Sequence, residues 1–148
     1  MTPRTCWIVC GSRTFDNYEV MKTHLDALAD QCGAPTVIVN GAMAGADALS
    51  SFWAYERKIN TLAYGAMWGT YGGSAGPRRN ADMAQQLSAD SGRDLCAAFT
   101  DKPLAMSRGT KDMVGKATAI LGGKRVFVFE SNPYPQQGDG PRPVGSGT

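Results

Sequence analysis

The chain has little of what many catalytic and membrane functions need. It has one histidine, His24, which leaves no material for a His-based metal site or a Ser-His-Asp triad. Its four cysteines, Cys6, Cys10, Cys32 and Cys96, stand in or beside apolar segments, and none has CxxC or Cys/His spacing. They read as buried free thiols of a protein kept in a reducing cytoplasm. No apolar run approaches the roughly 20 residues of a membrane helix. The start, MTPRTCWIVCGS, is basic and then apolar, but its apolar part is too short for a signal peptide. Basic runs are absent beyond Arg78-Arg79 and Lys124-Arg125, and the net charge is +2. Bulk electrostatics therefore gives no reason to expect nucleic-acid binding. No metal, cofactor or membrane association is expected.

What is present suits one soluble domain. The 148 residues can bury a core unaided. A hydrophobic content of 43% against 19% charged residues excludes a disordered chain. Composition shifts after Glu130: residues 131–148 hold four prolines and four glycines in 18 residues. The expectation is a domain over 1–130 and a flexible Pro/Gly-rich tail over 131–148.

The stretch Thr36–Leu49, TVIVNGAMAGADAL, organises the reading. A β-branched run, Val37-Ile38-Val39, suits a buried strand. Asn40-Gly41 and Gly45 make a turn, and a helix-compatible segment starts near Ala46 and runs to about Lys58. Strand, glycine turn and helix leave backbone N–H groups at a helix N-terminus, where the macrodipole favours an anion. Many α/β proteins use the same turn only for packing. In the helix, Leu49, Phe52, Trp53 and Glu56 share a face, so Phe52 and Trp53 are expected in the core.

The same grammar recurs. Thr5–Cys10 reads as a first strand, followed by Gly11-Ser12-Arg13 and a helix that Asp16 or Asn17 can cap. Cys32-Gly33-Ala34-Pro35 stops that helix. Asn60–Tyr64 is a third strand. Gly65–Gly76 then carries five glycines in twelve residues, with Trp68 and Tyr71 among them. Pro77 fits the first turn of a helix expected to end near Ser91-Gly92. Asp94–Phe99 is a fourth strand, Thr110 can cap a helix through Ala119 or Leu121, and Arg125–Phe129 is a fifth strand.

Alternating strands and helices imply a parallel sheet covered on both faces. Ligands of such sheets sit beyond the carboxyl ends of the strands. The loops expected on that edge carry the candidate chemistry. Gly11, Ser12 and Arg13 offer amides, a hydroxyl and a guanidinium that can pair with phosphate. Gly41, Ala42, Gly45 and Asp47 offer a helix start and a carboxylate that either caps the helix or meets a ligand. Arg78, Arg79 and Asn80 open a helix, with only one arginine expected to face the site. Ser107, Arg108, Gly109, Thr110 and Asp112 open another. Trp68 and Tyr71 either stack on a base or plug their loop onto the domain. Together these devices suit a nucleotide-like small molecule.

As a set, IVCGSRTFD, NGAMAGADAL, AMW-GTYGGSAGPRRNADM and AAF-SRGTKDM resemble the YspA-like branch of the SLOG superfamily. These are Rossmann-like proteins related to the LOG ("lysine decarboxylase-like") phosphoribohydrolases and to Smf/DprA. The resemblance covers about residues 6–129. It implies a Rossmann-like three-layer sandwich with a five-stranded, mainly parallel sheet in the order 3-2-1-4-5. It also implies nucleotide binding at these loops, homo-oligomerisation, and a role as sensor or sponge in a bacterial or phage-infected cytoplasm. LOG enzymes cleave the N-glycosidic bond of nucleoside 5′-monophosphates. Gly11-Ser12 matches their first turn, Asn40-Gly41 with Gly45 matches the second in part, Arg79-Asn80 stands where they have Arg-Lys, and Gly109-Thr110 matches the end of their PGGxGTxxE motif. Their catalytic glutamate falls at Met113, which cannot serve as acid or base. Ala105-Met106-Ser107 replaces their Pro-Gly-Gly. Non-catalytic binding is the favoured expectation. The alternative is a nucleotide N-glycosidase using Asp47, Asp112 or Asp82, and the Smf/DprA-like nucleic-acid role is disfavoured by the charge.

Overall fold

The computed structural model describes residues 2–130 and the strand residues 142–143. Its elements run β1 (Cys6–Gly11), α1 (Tyr18–Cys32), β2 (Val37–Asn40), α2 (Ala46–Glu56), β3 (Asn60–Ala63), α3 (Trp68–Tyr71), α4 (Ala75–Ala84), β4 (Leu95–Thr100), α5 (Arg108–Leu121), β5 (Val126–Glu130) and β6 (Arg142–Pro143). The sheet order is β3-β2-β1-β4-β5-β6. The first five strands in that order are parallel, as expected, and β6 pairs antiparallel with β5. Arg142–Pro143 belongs to the stretch expected as a tail; the rest of that stretch lies outside the described residues.

Strand alternation sorts the core into two layers. Cys6, Ile8 and Cys10 of β1 face Met83, Met113, Val114 and Ala117 on α4 and α5. Trp7 and Val9 face the other way, onto Met21, Leu25 and Trp53 of α1 and α2. Trp7 and Trp53 stack with ring centroids 5.9 Å apart. Each large apolar side chain so buried contributes about 1.5–3 kcal/mol. The strands are thereby held rigidly, and the loops at their carboxyl ends inherit fixed starting points. His24 packs against Phe129 at 4.5 Å in the second layer, where burial lowers its pKa. All four cysteines are free, and three of them are buried.

Several boundaries differ from the expectation, each for a local reason. Asn17, not Asp16, caps α1, its side chain accepting from Val20 N at 3.2 Å. Helix α2 stops at Glu56, because the next residues turn back and Ile59 N reaches Ala54 O. Helix α4 begins at Ala75, two residues before Pro77, and stops at Ala84 instead of near Ser91-Gly92. Beyond it the Asp94 carboxylate takes the Ser88 amide at 2.7 Å and the Cys6 amide at 2.8 Å, drawing the chain back to β1. Helix α5 starts at Arg108 with Ser107 at its cap position, so Thr110 lies inside the helix and does not cap it. Phe52 is not core: it is 48% exposed and packs edge-to-face with the Tyr18 ring, while Trp53 turns fully inward.

Candidate functional site

The connections after β1, β2, β3 and β4 open on one edge of the sheet and enclose a cavity of about 750 Å³. That lies within the range of small-molecule sites. The chain runs outward through β2 and β3 on one side of β1 and through β4 and β5 on the other, so the cavity stands at the topological switch.

After β1, Gly11, Ser12 and Arg13 reach the cavity. Ser12 is occupied on every side. Its amide donates to Phe99 O at 3.0 Å, and its hydroxyl donates to Asp101 Oδ1 at 2.8 Å and accepts from Asp101 N at 3.2 Å. Hydrogen bonds from Thr14 first, and then from Ser12, hold the Asp101 carboxyl below its ordinary pKa. Ser12 thus pins the β4 loop to the β1 loop.

After β2, the Gly41–Asp47 turn is built inward. Ala42 N donates to Asn40 Oδ1 at 3.0 Å, which holds Ala42 at φ 59. Gly45 sits at φ 79, and a Cβ there would meet Ser12 O at 2.4 Å. That same Ser12 carbonyl accepts from Ala46 N at 3.2 Å. The N-terminus of α2, read as a candidate anion site, is therefore covered by the neighbouring loop. Asp47 does not cap α2 either: its Oδ2 accepts from Met43 N at 3.2 Å, back in its own loop. Burial pushes the Asp47 carboxyl up to about 6, against the pull of the Met43 amide and the Arg79 cation. Gly41 and Asp47 line the cavity, whereas Ala42 and Gly45 are consumed by the turn and do not.

From the β3–α4 segment come Trp68, Arg79 and Asn80. The two arginines diverge, as adjacent helix positions must. Arg79 Nη1 donates to Gly41 O at 2.6 Å, and its Nε donates to Asn80 Oδ1 at 2.8 Å. Gly41 permits this approach, since a Cβ there would stand 2.4 Å from Arg79 Nη1. Asn80 Nδ2 continues to Gly109 O at 3.1 Å and Asp112 Oδ2 at 3.0 Å, and Lys116 pairs with Asp112 at 2.6 Å. One polar chain thus spans the connections after β2, β3 and β4. Arg78 turns away and covers the face of Tyr71 at 4.3 Å, so neither lines the cavity. Asp82 is exposed and also lies off it.

The start of α5 is different. Ser107, Arg108, Gly109, Thr110 and Asp112 all line the cavity. No side chain caps this helix, and the buried Ser107 Oγ has no hydrogen-bond partner. Arg13 and Arg108 have no ion-pair partner among the described residues, and Lys102 lines the cavity beside Asp101. Lys102, Met106, Thr14 and Met43 were not picked out from the sequence. Lys102 had a usable signal, its place directly after β4; the methionines had none. Met113 is 1% exposed and forms part of the cavity wall.

Residues 7–71 match the family described as YspA, cpYpsA-related SLOG. Over that stretch the chain is similar to the YspA-like SLOG family. No curated protein and no solved structure matches it significantly. The SLOG-matched stretch supplies nine of the 23 residues that line the cavity, Gly11, Ser12, Arg13, Gly41, Asp47 and Trp68 among them. Arg79, Asn80 and the start of α5 lie beyond it.

Proposed function

We propose that the cavity binds a nucleotide or nucleotide-derived metabolite and holds it without cleaving it. One observation carries the reading: the buried, unpartnered Ser107 hydroxyl at the uncapped start of α5, beside the unpaired Arg108 and facing a nucleotide-sized cavity. A buried hydroxyl without a partner is costly unless a ligand supplies one. An open helix N-terminus with adjacent guanidinium groups suits phosphate. The SLOG match over residues 7–71 is consistent with a nucleotide-related role. Met113, at the position of the LOG glutamate, offers no acid or base. The test is calorimetry and thermal shift with nucleoside phosphates, ADP-ribose and cyclic nucleotides. Saturable binding with no free base released is the expected result; a well-folded protein that none of them stabilises sinks the reading.

A second reading has one observation in its favour. Asp47 is a buried carboxyl on the cavity wall with its pKa raised to about 6, the kind of group that can donate a proton near neutrality. On this reading the protein is an N-glycosidase of nucleoside phosphates. It predicts release of free base, abolished in Asp47→Asn. Asp112 is the weaker candidate, because Asn80 and Lys116 already occupy its oxygens.

A further inference from the structure

The cavity has one large aromatic side chain on its wall, and it is unused by the fold. Trp7 and Trp53 are fully buried in the core, whereas Trp68 is 50% exposed and lines the cavity. Its indole lies over Gly76, where a Cβ would stand 3.3 Å from the ring. Tyr71, one turn further on, is the other candidate, but the Arg78 guanidinium already covers its face at 4.3 Å and is held there by Ser74 Oγ at 3.1 Å. The two aromatics that the sequence could not separate are thus separated by their neighbours. One is a capped loop plug and the other an open surface.

We infer that Trp68 is the stacking platform for the planar base of the ligand, and that the ligand's anionic end lies toward Ser107 and Arg108. This rests on the nucleotide-binding reading and gives the bound molecule a direction. Ser107, Arg108 and the open amides of α5 come from the β4–α5 connection, whereas Trp68 arrives from the segment after β3, and both line the same cavity of about 750 Å³. An indole face accepts any base, since every base offers a π-face. Selectivity among bases then depends on polar groups elsewhere on the wall.

Trp68 is the only exposed tryptophan of the three, so ligand quenching that is present in the wild type and lost in Trp68→Phe reports on this end of the cavity, against the constant emission of the buried Trp7 and Trp53. Wild type, Trp68→Phe and Trp68→Ala are titrated with AMP, GMP, CMP and UMP, and in parallel with ribose 5-phosphate, by fluorescence and calorimetry. The expected result is saturable quenching by at least one nucleotide in the wild type, with affinity roughly 10- to 100-fold weaker in Trp68→Ala and largely kept in Trp68→Phe. Ribose 5-phosphate should not quench, and any affinity it has should be the same in all three proteins. Trp68 is half exposed, so the melting temperature should hold in both variants; if Trp68→Ala unfolds, the wild-type quench and Trp68→Phe still decide. A nucleotide that binds calorimetrically without quenching, and equally well to Trp68→Ala, overturns the inference and leaves nucleotide binding intact. If none of the four nucleotides binds, the inference falls, and nucleotide binding falls with it once ADP-ribose and cyclic nucleotides also fail to bind.

Discussion

Helices α2 and α5 each follow a strand of the central sheet, and both starts face the same edge of the molecule; the connection into α2 carries Gly41 and Gly45, whereas the one into α5 holds no glycine before Gly109 in the helix itself. At α2 the cap position is Gly45, the first amide of the helix donates to the Ser12 carbonyl, and the acid of the first turn, Asp47, is buried against its own loop. At α5 the cap position is Ser107, its hydroxyl is buried without a partner, and the first turn holds no acid. One start is closed by protein and the other is left for something else. A strand-to-helix connection therefore leaves its helix start open only where no second loop has already taken the amides. At α2 the β1 loop takes the first amide through the Ser12 carbonyl, whereas at α5 the Ser107 hydroxyl stands without a partner.

The contrast is breakable, and the largest effect should come from the closed side. Gly45→Ala sets a Cβ 2.4 Å from Ser12 O at φ 79. Strain and displacement of the β1 loop should cost about 3 kcal/mol or more, a fall of roughly 10 °C in the melting temperature for a domain of this size. An unchanged melt would mean that the seal is not there.

Asp47→Asn comes next, and its signature is in pH. The folded carboxyl titrates near 6 against an ordinary 3.8, so between those values the native state holds a proton that the unfolded chain has lost. Its contribution is therefore best at low pH and is lost as pH rises through 4 to 6. Two pKa units correspond to about 2–3 kcal/mol. Asparagine keeps the acceptor for Met43 N without the charge. Urea denaturation should show Asp47→Asn gaining on wild type as pH rises from about 4.5 to 7.5, with stabilities converging at the acid end. A difference that is flat with pH would contradict the burial argument.

Two smaller substitutions compare a working cap with an idle one. Asn17→Ala removes the acceptor for Val20 N and should cost about 1 kcal/mol. Ser107→Ala removes a hydroxyl that bonds nothing and should change the stability of the free protein by less than about 0.5 kcal/mol, while weakening nucleotide binding. Equal losses in chemical denaturation would mean that Ser107 caps after all. The last substitution, Gly109→Ala in the first turn of α5, has the opposite sign. Nothing stands within 4 Å of its Cβ position, so helix propensity should make it neutral or more stable by up to about 1 kcal/mol in a thermal melt.

The fold was legible because its signals are local and repeated. The apolar runs at Val37–Val39 and Cys6–Cys10 announce buried strands, and the helical period of Met21, Leu25 and Leu28 announces a helix and its buried face. Helix ends were less legible. Asp94 draws the chain beyond α4 back to β1 through hydrogen bonds to Ser88, six positions away, and to Cys6, 88 positions away, and no window of sequence contains the second. Phe52 and Trp53 are equally apolar and adjacent, and only the packing of α2 on the sheet selects Trp53 for the core.

Of the site, the sequence by itself determined which loops would meet, because strands joined by helices in parallel must open their loops on one edge. It also determined the chemical stock of those loops: guanidinium groups, hydroxyls, glycines and one aromatic cluster. The tertiary structure decided which of that stock is free. Gly45 and Ala42 went to a turn, Ser12 to Asp101, Arg78 to Tyr71, and Arg79 with Asn80 to a polar chain bracing three loops. Arg13, Arg108, Ser107 and Trp68 were left facing the cavity. A residue's chemistry is a property of its own atoms, but its availability depends on which partners the rest of the chain brings within about 3 Å, and those partners lie up to 89 positions away.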